Sequence, residues 1–243
     1  MTSGQTGYKA IMLVALMVAF ALWTTVAMAD VTDDFFEAAK RGDLPAVKGF
    51  IAKGADISVK SDTGKTALAV ACGHGYKEIV QLLLDNGASV TTKDKWGHTP
   101  LIDASQNGDK EIVQMLIAKR ADINAKDNHG ETALMFASWE GHKEVVQLLI
   151  AKGADVNVKA MGGYTALMFA SEKDHKEIVK ALLAKGADVN AMQNDGTTAL
   201  VVASTQGHKE VVQLLLAEET KGAAITCRQS RHQPLLLRRG HGP

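Results

Sequence analysis

The chain contains little cysteine and few aromatic residues, and each shortage limits what it can be. Its two cysteines, Cys72 and Cys227, are too few to build a small fold on disulfides. Aromatic residues make up only 5% of the chain. The few tryptophans and tyrosines are therefore informative about where function could lie.

The chain also lacks net charge, because 27 basic residues balance 27 acidic ones. The balance is uneven along the sequence. All the acidic residues but only 21 of the basic ones lie between Asp30 and Thr220, which gives this body a charge of −6 and the tail +5. An acidic body argues against nucleic acid as the main partner, since phosphate binding needs a basic surface.

The N-terminus has the pattern of a secretory signal. Lys9 is followed by an apolar run from Ala10 to Trp23, and Ala27 and Ala29 are small residues at the −3 and −1 positions of a cleavage site. We therefore predict a signal peptide over residues 1–29, cleavage before Asp30, and a periplasmic or secreted protein.

An uncleaved anchor is the competing interpretation of the same segment. Residues 10–29 approach the length needed to cross a bilayer. In that case the protein stays attached to the inner membrane and faces the periplasm. Both interpretations place the rest of the chain across a membrane.

From Ser61 onward the chain repeats itself every 33 residues. Each unit has the phrase Gly-x-Thr-Ala/Pro-Leu, then an alanine, a Gly-His-Lys-Glu-Val-Val-type segment and a close such as Gly-Ala-Asp-Val-Asn. The glycines that open this phrase are Gly64, Gly97, Gly130, Gly163 and Gly196.

Each position that recurs from unit to unit has a physical interpretation. The first glycine permits a turn with positive φ, and the threonine can cap a helix, with Pro100 tolerated at the first helical position. Ile79, Val80, Leu83 and Leu84 recur with the period of a second helix. Each unit is thus a turn and two short antiparallel helices, and the units must stack because none can bury its apolar face alone.

These motifs closely resemble the ankyrin repeat over about residues 33–225. The resemblance implies an all-α solenoid of stacked helix-turn-helix units with short β-turn tips. We expect an N-terminal capping repeat over 30–60 and five repeats over 61–93, 94–126, 127–159, 160–192 and 193–226. The register of the fifth repeat shifts near Glu218, which predicts an insertion of three residues, and we expect a basic, mostly disordered tail over 227–243.

Several motifs look chemical but have simpler explanations. Gly64-Lys65-Thr66 is similar to the end of a phosphate-binding loop, but Val59 stands where that loop needs glycine. One column of serines occupies the same place in each unit, which favours packing over catalysis. We therefore predict no catalytic residue, no cofactor and no enzymatic activity.

A column of histidines suggests a metal site at first sight. His142, His175 and His208 recur once per unit, and stacked helices lie about 8–10 Å apart. Neighbours at that spacing cannot share one zinc ion, whose ligands lie about 2 Å away. We predict turn histidines that bond to backbone, no metal site, and no disulfide between the two distant cysteines.

Function should lie where the repeat columns differ from one another. By resemblance, ankyrin repeats bind proteins with their concave face and turn tips, and tryptophan and tyrosine often anchor interfaces. Met135, Phe136, Met168 and Phe169 are predicted as core. The predicted partner-binding residues are Trp96, His98, His129, Trp139 and Tyr164, with Lys95, Glu131 and Glu140 beside them.

Two residues depart from the repeat pattern. Arg120 replaces a closing glycine and should adopt a strained left-handed conformation. Asp103 replaces an apolar residue, and it either softens the second repeat or serves a partner.

The leading prediction is an exported, monomeric scaffold that binds one or more proteins. The alternatives are a membrane-tethered organiser and an accessory or protective factor for a periplasmic enzyme. An enzyme is a weaker alternative, since no acid, base and nucleophile cluster together and a solenoid has no deep pocket by default.

Overall fold

The computed structural model describes the backbone of residues 34–230 and the side chains of residues 34–221. The predicted signal peptide over 1–29 lies outside the described residues, as does the tail from residue 231 onward. Among the described residues, no helix has the length and apolarity that a membrane crossing requires.

The described chain is all-α and divides into two compact units, one ending at Asp122 and the other beginning at Ile123. Extended structure is limited to isolated bridges at the turn tips, such as Lys60 with Thr66 and Met192 with Thr198. The predicted fold class, an all-α repeat solenoid, is confirmed. One helix pair falls within each predicted repeat except the fifth, whose second helix continues past residue 226.

The first unit contains six helices and the second unit contains six more with one short 3-10 turn. The first set is α1 (34–41), α2 (Leu44–Ala52), α3 (Ala67–His74), α4 (Lys77–Asp85), α5 (Pro100–Asn107) and α6 (Lys110–Ala118). The second set is α7 (Ala133–Glu140), α8 (Lys143–Ala151), the turn Met161–Gly163, α9 (Ala166–Glu172), α10 (Lys176–Ala184), α11 (Ala199–Gln206) and α12 (Lys209–Ser230).

The first helix of each repeat begins and ends as the repeat pattern predicts. The hydroxyl of Thr99 accepts a hydrogen bond from the backbone N–H of Ile102 at 3.3 Å, and Pro100 occupies the first helical position. Equivalent caps begin α3, α9 and α11, whereas Thr132 makes no such bond. Glycine with positive φ ends α3, α5, α7 and α11.

The second helices bury one apolar face and carry paired charges at their starts. Ile112, Val113 and Leu116 of α6 are fully buried. The Lys-Glu phrase at the start of the second helices also joins neighbouring repeats within each unit. Lys77 pairs with Glu111 in the first unit. In the second unit Lys176 lies 2.6 Å from Glu210, and both ion pairs are largely exposed to solvent.

Hydrogen bonds also join neighbouring repeats within each unit. The N–H of Lys95 donates to the carbonyl of Thr63 in the first unit. In the second unit the side-chain oxygen of Asn157 accepts from the N–H of Asp188 at 2.8 Å, while its amide donates to the carbonyl of Gly186 at 3.0 Å. The closing asparagine is thus a connector between repeats.

The final helix differs from the sequence-based expectation. The other second helices have nine residues, whereas α12 runs for 22 residues from Lys209 to Ser230 and passes Gly222 without a closing turn. Residues 227–230 are helical where the sequence favoured disorder. The residues near Glu218 that break the repeat register, such as Glu219 and Lys221, are good helix formers.

Arg120 adopts the predicted left-handed conformation, with φ of 65°. The closing residue of the preceding repeat, Gly87, has φ of 84° and open space around it. We expect Arg120→Gly to raise the free energy of unfolding by about 1 kcal/mol, because glycine has no penalty in this region.

Urea unfolding measures this change, and Gly87→Ala is the matched control. Alanine should lower stability at Gly87 by about 1 kcal/mol, since its only effect there is conformational. A destabilising Arg120→Gly would mean that contacts of the arginine side chain outweigh the backbone strain.

Candidate protein-binding surface

The turn tip of the second repeat presents an exposed tryptophan. The carboxylate of Asp94 fixes this turn by accepting the N–H groups of Trp96 at 2.9 Å and His98 at 2.8 Å. Trp96 is 48% exposed, and Lys95 beside it is also exposed. The tip therefore offers a large apolar ring on a rigid loop.

His98, the third predicted binding residue of this tip, also contacts a buried carboxylate. Its side chain turns inward, and its Nδ1 lies 3.7 Å from Oδ1 of the buried Asp103. Lys65 donates to the same oxygen of Asp103 at 2.8 Å and lies 3.8 Å from Asp94. His98 thus belongs to an internal charge network, which leaves it less available to a partner than Trp96.

The carboxylates of this network favour the protonated form of the His98 imidazole. Two buried carboxylates, Asp94 and Asp103, face one lysine, so a protonated imidazole balances the group. The hydrogen bond to Asp103 raises the pKa of His98, while partial burial opposes the rise. Burial, together with the Asp103 carboxylate, also raises the pKa of the Cys72 thiol well above its ordinary value. Cys72 is therefore a packing residue and not a nucleophile.

The second unit brings three aromatic rings together on its first helices. Trp139 of α7 meets Phe169 of α9 edge to face, with ring centroids 5.4 Å apart. Tyr164, at the turn tip before α9, stacks on the same Phe169 at 5.4 Å. All three rings are half-buried. We call Trp139, Tyr164 and Phe169 the aromatic cluster.

A lysine covers the outer ring of the aromatic cluster. The ammonium of Lys173 lies 3.7 Å from the centroid of the Trp139 ring, which is a cation–π contact. Lys173 itself is exposed. The cluster therefore combines an apolar surface with one exposed positive charge at its edge.

A histidine of the next repeat holds the end of α7 in place. Nε2 of His175 donates to the carbonyl of Trp139 at 3.0 Å, and His208 makes the same bond to Glu172. This confirms the predicted backbone role for these two members of the histidine column. A Cβ at Gly141 would lie 2.5 Å from the His175 ring, so only glycine at that position permits the contact.

His129 and Glu131 meet around a buried carboxylate in the second unit. Oδ1 of Asp127 accepts the N–H of His129 at 2.9 Å and of Glu131 at 2.7 Å. Possible ligand atoms of these three side chains lie within 4.8 Å of one another, close enough to share a cation. The turn geometry accounts for the cluster, because Asp94 bonds in the same way in the second repeat.

The eight predicted binding residues fall into separate groups. Lys95, Trp96 and His98 share one tip of the first unit, whereas His129 and Glu131 share a tip of the second. Trp139 and Tyr164 are joined through Phe169, and Glu140 is exposed at the end of α7. Sequence reasoning missed Phe169 and Lys173. Phe169 recurs at the apolar position of Phe136, for which the repeat pattern predicts core, but its ring is only half-buried.

The comparison with known families agrees with the repeat geometry. The family model described as ankyrin repeats in three copies matches residues 35–127 and 159–229, and the single ankyrin repeat matches residues 129–160. The chain belongs to the ankyrin-repeat family. Ankyrin repeats generally mediate protein–protein interaction, and such scaffolds are typically non-enzymatic.

Individual relatives of this ankyrin-repeat protein match over short stretches. A protein of Oryza sativa subsp. japonica named as a probable E3 ubiquitin-protein ligase is 49% identical over 47 residues, which are 19% of this chain and 9% of that protein. Two proteins of Rickettsia felis named as ankyrin repeat proteins are 42% identical over 45 residues, 18% of this chain and 71% and 68% of theirs. The similarity lies in the repeat and covers little of the rice protein.

The His98 network predicts a measurable pH dependence. A histidine whose pKa rises on folding stabilises the fold fully below its unfolded pKa of about 6.5, and this contribution is lost as the pH rises through the folded pKa. Removing the Asp103 charge should therefore lower the pKa of the His98 imidazole. NMR titration of the His98 ring in the wild type and in Asp103→Asn measures this shift.

The unfolding free energy provides the second readout. The difference in unfolding free energy between the wild type and His98→Gln should be largest at pH 5.5 and should shrink toward pH 8. An imidazole titration that is identical with and without the Asp103 carboxylate would contradict the assignment.

Proposed function

We propose that this protein is an ankyrin-repeat scaffold that binds partner proteins through its first-helix surface and turn tips. The observation that carries the proposal is the aromatic cluster of Trp139, Tyr164 and Phe169. Aromatic residues held at the surface by neighbouring repeats suit the centre of an interface, where tryptophan and tyrosine contribute most.

The geometry of the aromatic cluster lowers the cost of binding. Edge-to-face and stacked contacts fix the three rings before a partner arrives, so little side-chain entropy remains to be lost. Lys173 can move off the Trp139 ring and leave its face open. A partner with an apolar side chain and a nearby acidic group would match this surface.

Trp96 provides a second contact in the first unit. Its tip is fixed by Asp94, and its ring is exposed. We assign it to the partner-binding surface together with Lys95. His98 supports this tip from within, and His129, Glu131 and Glu140 add polar contacts in the second unit.

The site of action belongs to the same proposal. The Ala10–Trp23 run and the small residues Ala27 and Ala29 support export to the periplasm and cleavage after Ala29. We propose that the protein works there as a monomer. A membrane-tethered organiser with a retained N-terminal segment is the second candidate. A role as accessory or protective factor for a periplasmic enzyme is compatible with either form.

Loss of the Trp139 ring should weaken partner capture strongly. Truncating a hot-spot residue costs about 2 kcal/mol or more, which is roughly a 30-fold loss of affinity. We expect Trp139→Ala to lose the partner that the wild type captures by crosslinking in the exported fraction. The dissociation constants of the wild type and of Trp139→Ala for that partner, once it is purified, give the fold-change in affinity.

Two further variants separate binding from folding. Lys173→Glu keeps all three rings but reverses the charge beside them, and it should weaken capture of an acidic partner. Gln147→Ala changes an exposed residue on the second helix α8 of the same repeat and should have no effect. Equal capture by Trp139→Ala and the wild type, with normal circular dichroism, would place the interface elsewhere.

Export predicts a defined N-terminus. Sequencing the protein recovered from the periplasmic fraction should find Asp30 as its first residue. A chain that keeps residues 1–29 and sediments with membranes would favour the tethered organiser. A chain found only in the cytoplasm would refute both.

A further inference from the structure

The turn tip of the third repeat groups three side chains that carry metal-ligand atoms. They are a buried carboxylate, an exposed imidazole and a half-buried carboxylate, which belong to Asp127, His129 and Glu131. Each offers one ligand atom, and these atoms all lie within 4.8 Å of one another. Nδ1 of His129 lies 3.8 Å from Oδ2 of Asp127. We call these three residues the tip cluster.

The turn explains the place of Asp127 but not the choice of the other two residues. Asp94 makes the same turn contacts in the second repeat without an acidic residue at either of the other two positions. Among the five repeats, only the third has a potential metal ligand at all three positions. The same positions of the other repeats hold Ser61, Thr63 and Lys65; Asp94, Trp96 and His98; Ala160, Gly162 and Tyr164; and Gln193, Asp195 and Thr197.

Hydrogen bonds hold the backbone of the tip cluster in place. Oδ1 of Asp127 accepts the N–H groups of His129 and Glu131, while Oδ2 lies on the side of the imidazole. The N–H of Asp127 donates to the carbonyl of Glu131 at 2.9 Å. The N–H of Met161, in the next repeat, donates to the carbonyl of His129 at 2.7 Å. An ion therefore has to order only the side chains of His129 and Glu131.

We propose that the tip cluster binds one divalent transition-metal ion of the zinc type. Its ligands are Oδ2 of Asp127, one imidazole nitrogen of His129 and one carboxylate oxygen of Glu131. Zn²⁺ holds such ligands about 2.0–2.2 Å away, which places two of them roughly 3.3 Å apart in tetrahedral geometry. The imidazole is 65% exposed, so a small rotation can close its 3.8 Å separation from Asp127. The fourth position of the tetrahedron is left to water.

Charge and ligand type both favour this class of ion. Imidazole binds a metal in its neutral form, so the two carboxylates supply a charge of −2 for a divalent cation. Ca²⁺ and Mg²⁺ are bound by oxygen ligands, whereas imidazole suits Zn²⁺ and other transition metals. The imidazole of His129 is thus the group that distinguishes the proposed ion from Ca²⁺ and Mg²⁺.

The sequence predicted no metal site, because histidines one repeat apart cannot share one ion. The tip cluster is not subject to that limit, since its three ligands come from five consecutive residues. It shares no residue with the aromatic cluster of Trp139, Tyr164 and Phe169. Metal binding at the tip cluster therefore needs no protein partner and goes beyond the proposed function.

Calorimetric titration of the full chain with ZnCl₂ alone tests the proposal. We expect one ion to bind at the tip cluster, and His129→Gln and Glu131→Gln should each weaken its affinity at least tenfold. Even the outer-shell partners of metal ligands are worth about 10- to 100-fold in affinity. Both variants keep the backbone hydrogen bonds of the turn, so their circular dichroism should match that of the wild type. Asp127 stays unchanged because its carboxylate holds the turn.

A matched control removes a histidine outside the tip cluster. His74 is exposed at the end of α3 in the first unit. His74→Gln should bind Zn²⁺ as tightly as the wild type. MgCl₂ at the same concentration should give no binding isotherm with any of these proteins.

The melting temperature gives a second readout that does not depend on calorimetry. An ion that binds only the native state raises the melting temperature, so Zn²⁺ should raise it in the wild type and in His74→Gln more than in the two tip variants. Equal Zn²⁺ affinity in the wild type and both tip variants would mean that only adventitious sites bind the ion, and would overturn the proposal. Absence of Zn²⁺ binding by the wild type, or Mg²⁺ binding of the same strength, would overturn it too.

Discussion

The structure depends on burial of one repeat's apolar face against the next. Leu68, Leu101, Leu134 and Leu167 occupy one column and are fully buried, yet each lies on a helix of only seven or eight residues. Helices this short are unstable alone in water. Caps, turn glycines and asparagine connectors set the spacing at which neighbouring repeats supply the missing core.

Most of the fold could be predicted from the sequence because the same capping and turn residues recur in each repeat. Thr99, Pro100 and Gly108 begin and end α5 for reasons that operate within a few residues. Arg120 was recognisable for the same reason, as the one residue out of place in a column of glycines. The course of α12 was harder to predict, because a helix continuing past Gly222 depends on the good helix formers before it and not on a repeat column.

The candidate site was less predictable, because contacts between repeats join residues far apart in sequence. Trp139 and Tyr164 stood out as aromatic residues in variable positions, but the ring that connects them is Phe169, which looks like core in the repeat pattern. His98 stood out for the same reason as Trp96, yet its side chain faces inward, toward the buried Asp103. Asp103 lies 38 residues after Lys65 in the sequence but accepts a hydrogen bond from it in the structure. Residue type identified the candidate binding residues. Only the packing of the structure shows which of their side chains lie at the surface and which lie inside.

The ion pair between Lys65 and Asp103 makes the order of these repeats matter. Lys65 belongs to one repeat and the carboxylate that it neutralises belongs to the next. If the second repeat were duplicated, the new copy would follow a unit with His98 in place of Lys65, and its buried aspartate would face a weaker base. Exchange with a later repeat would leave Lys65 facing an apolar residue. A rearrangement of the repeats would therefore keep this buried charge neutralised by lysine only if the two repeats moved together.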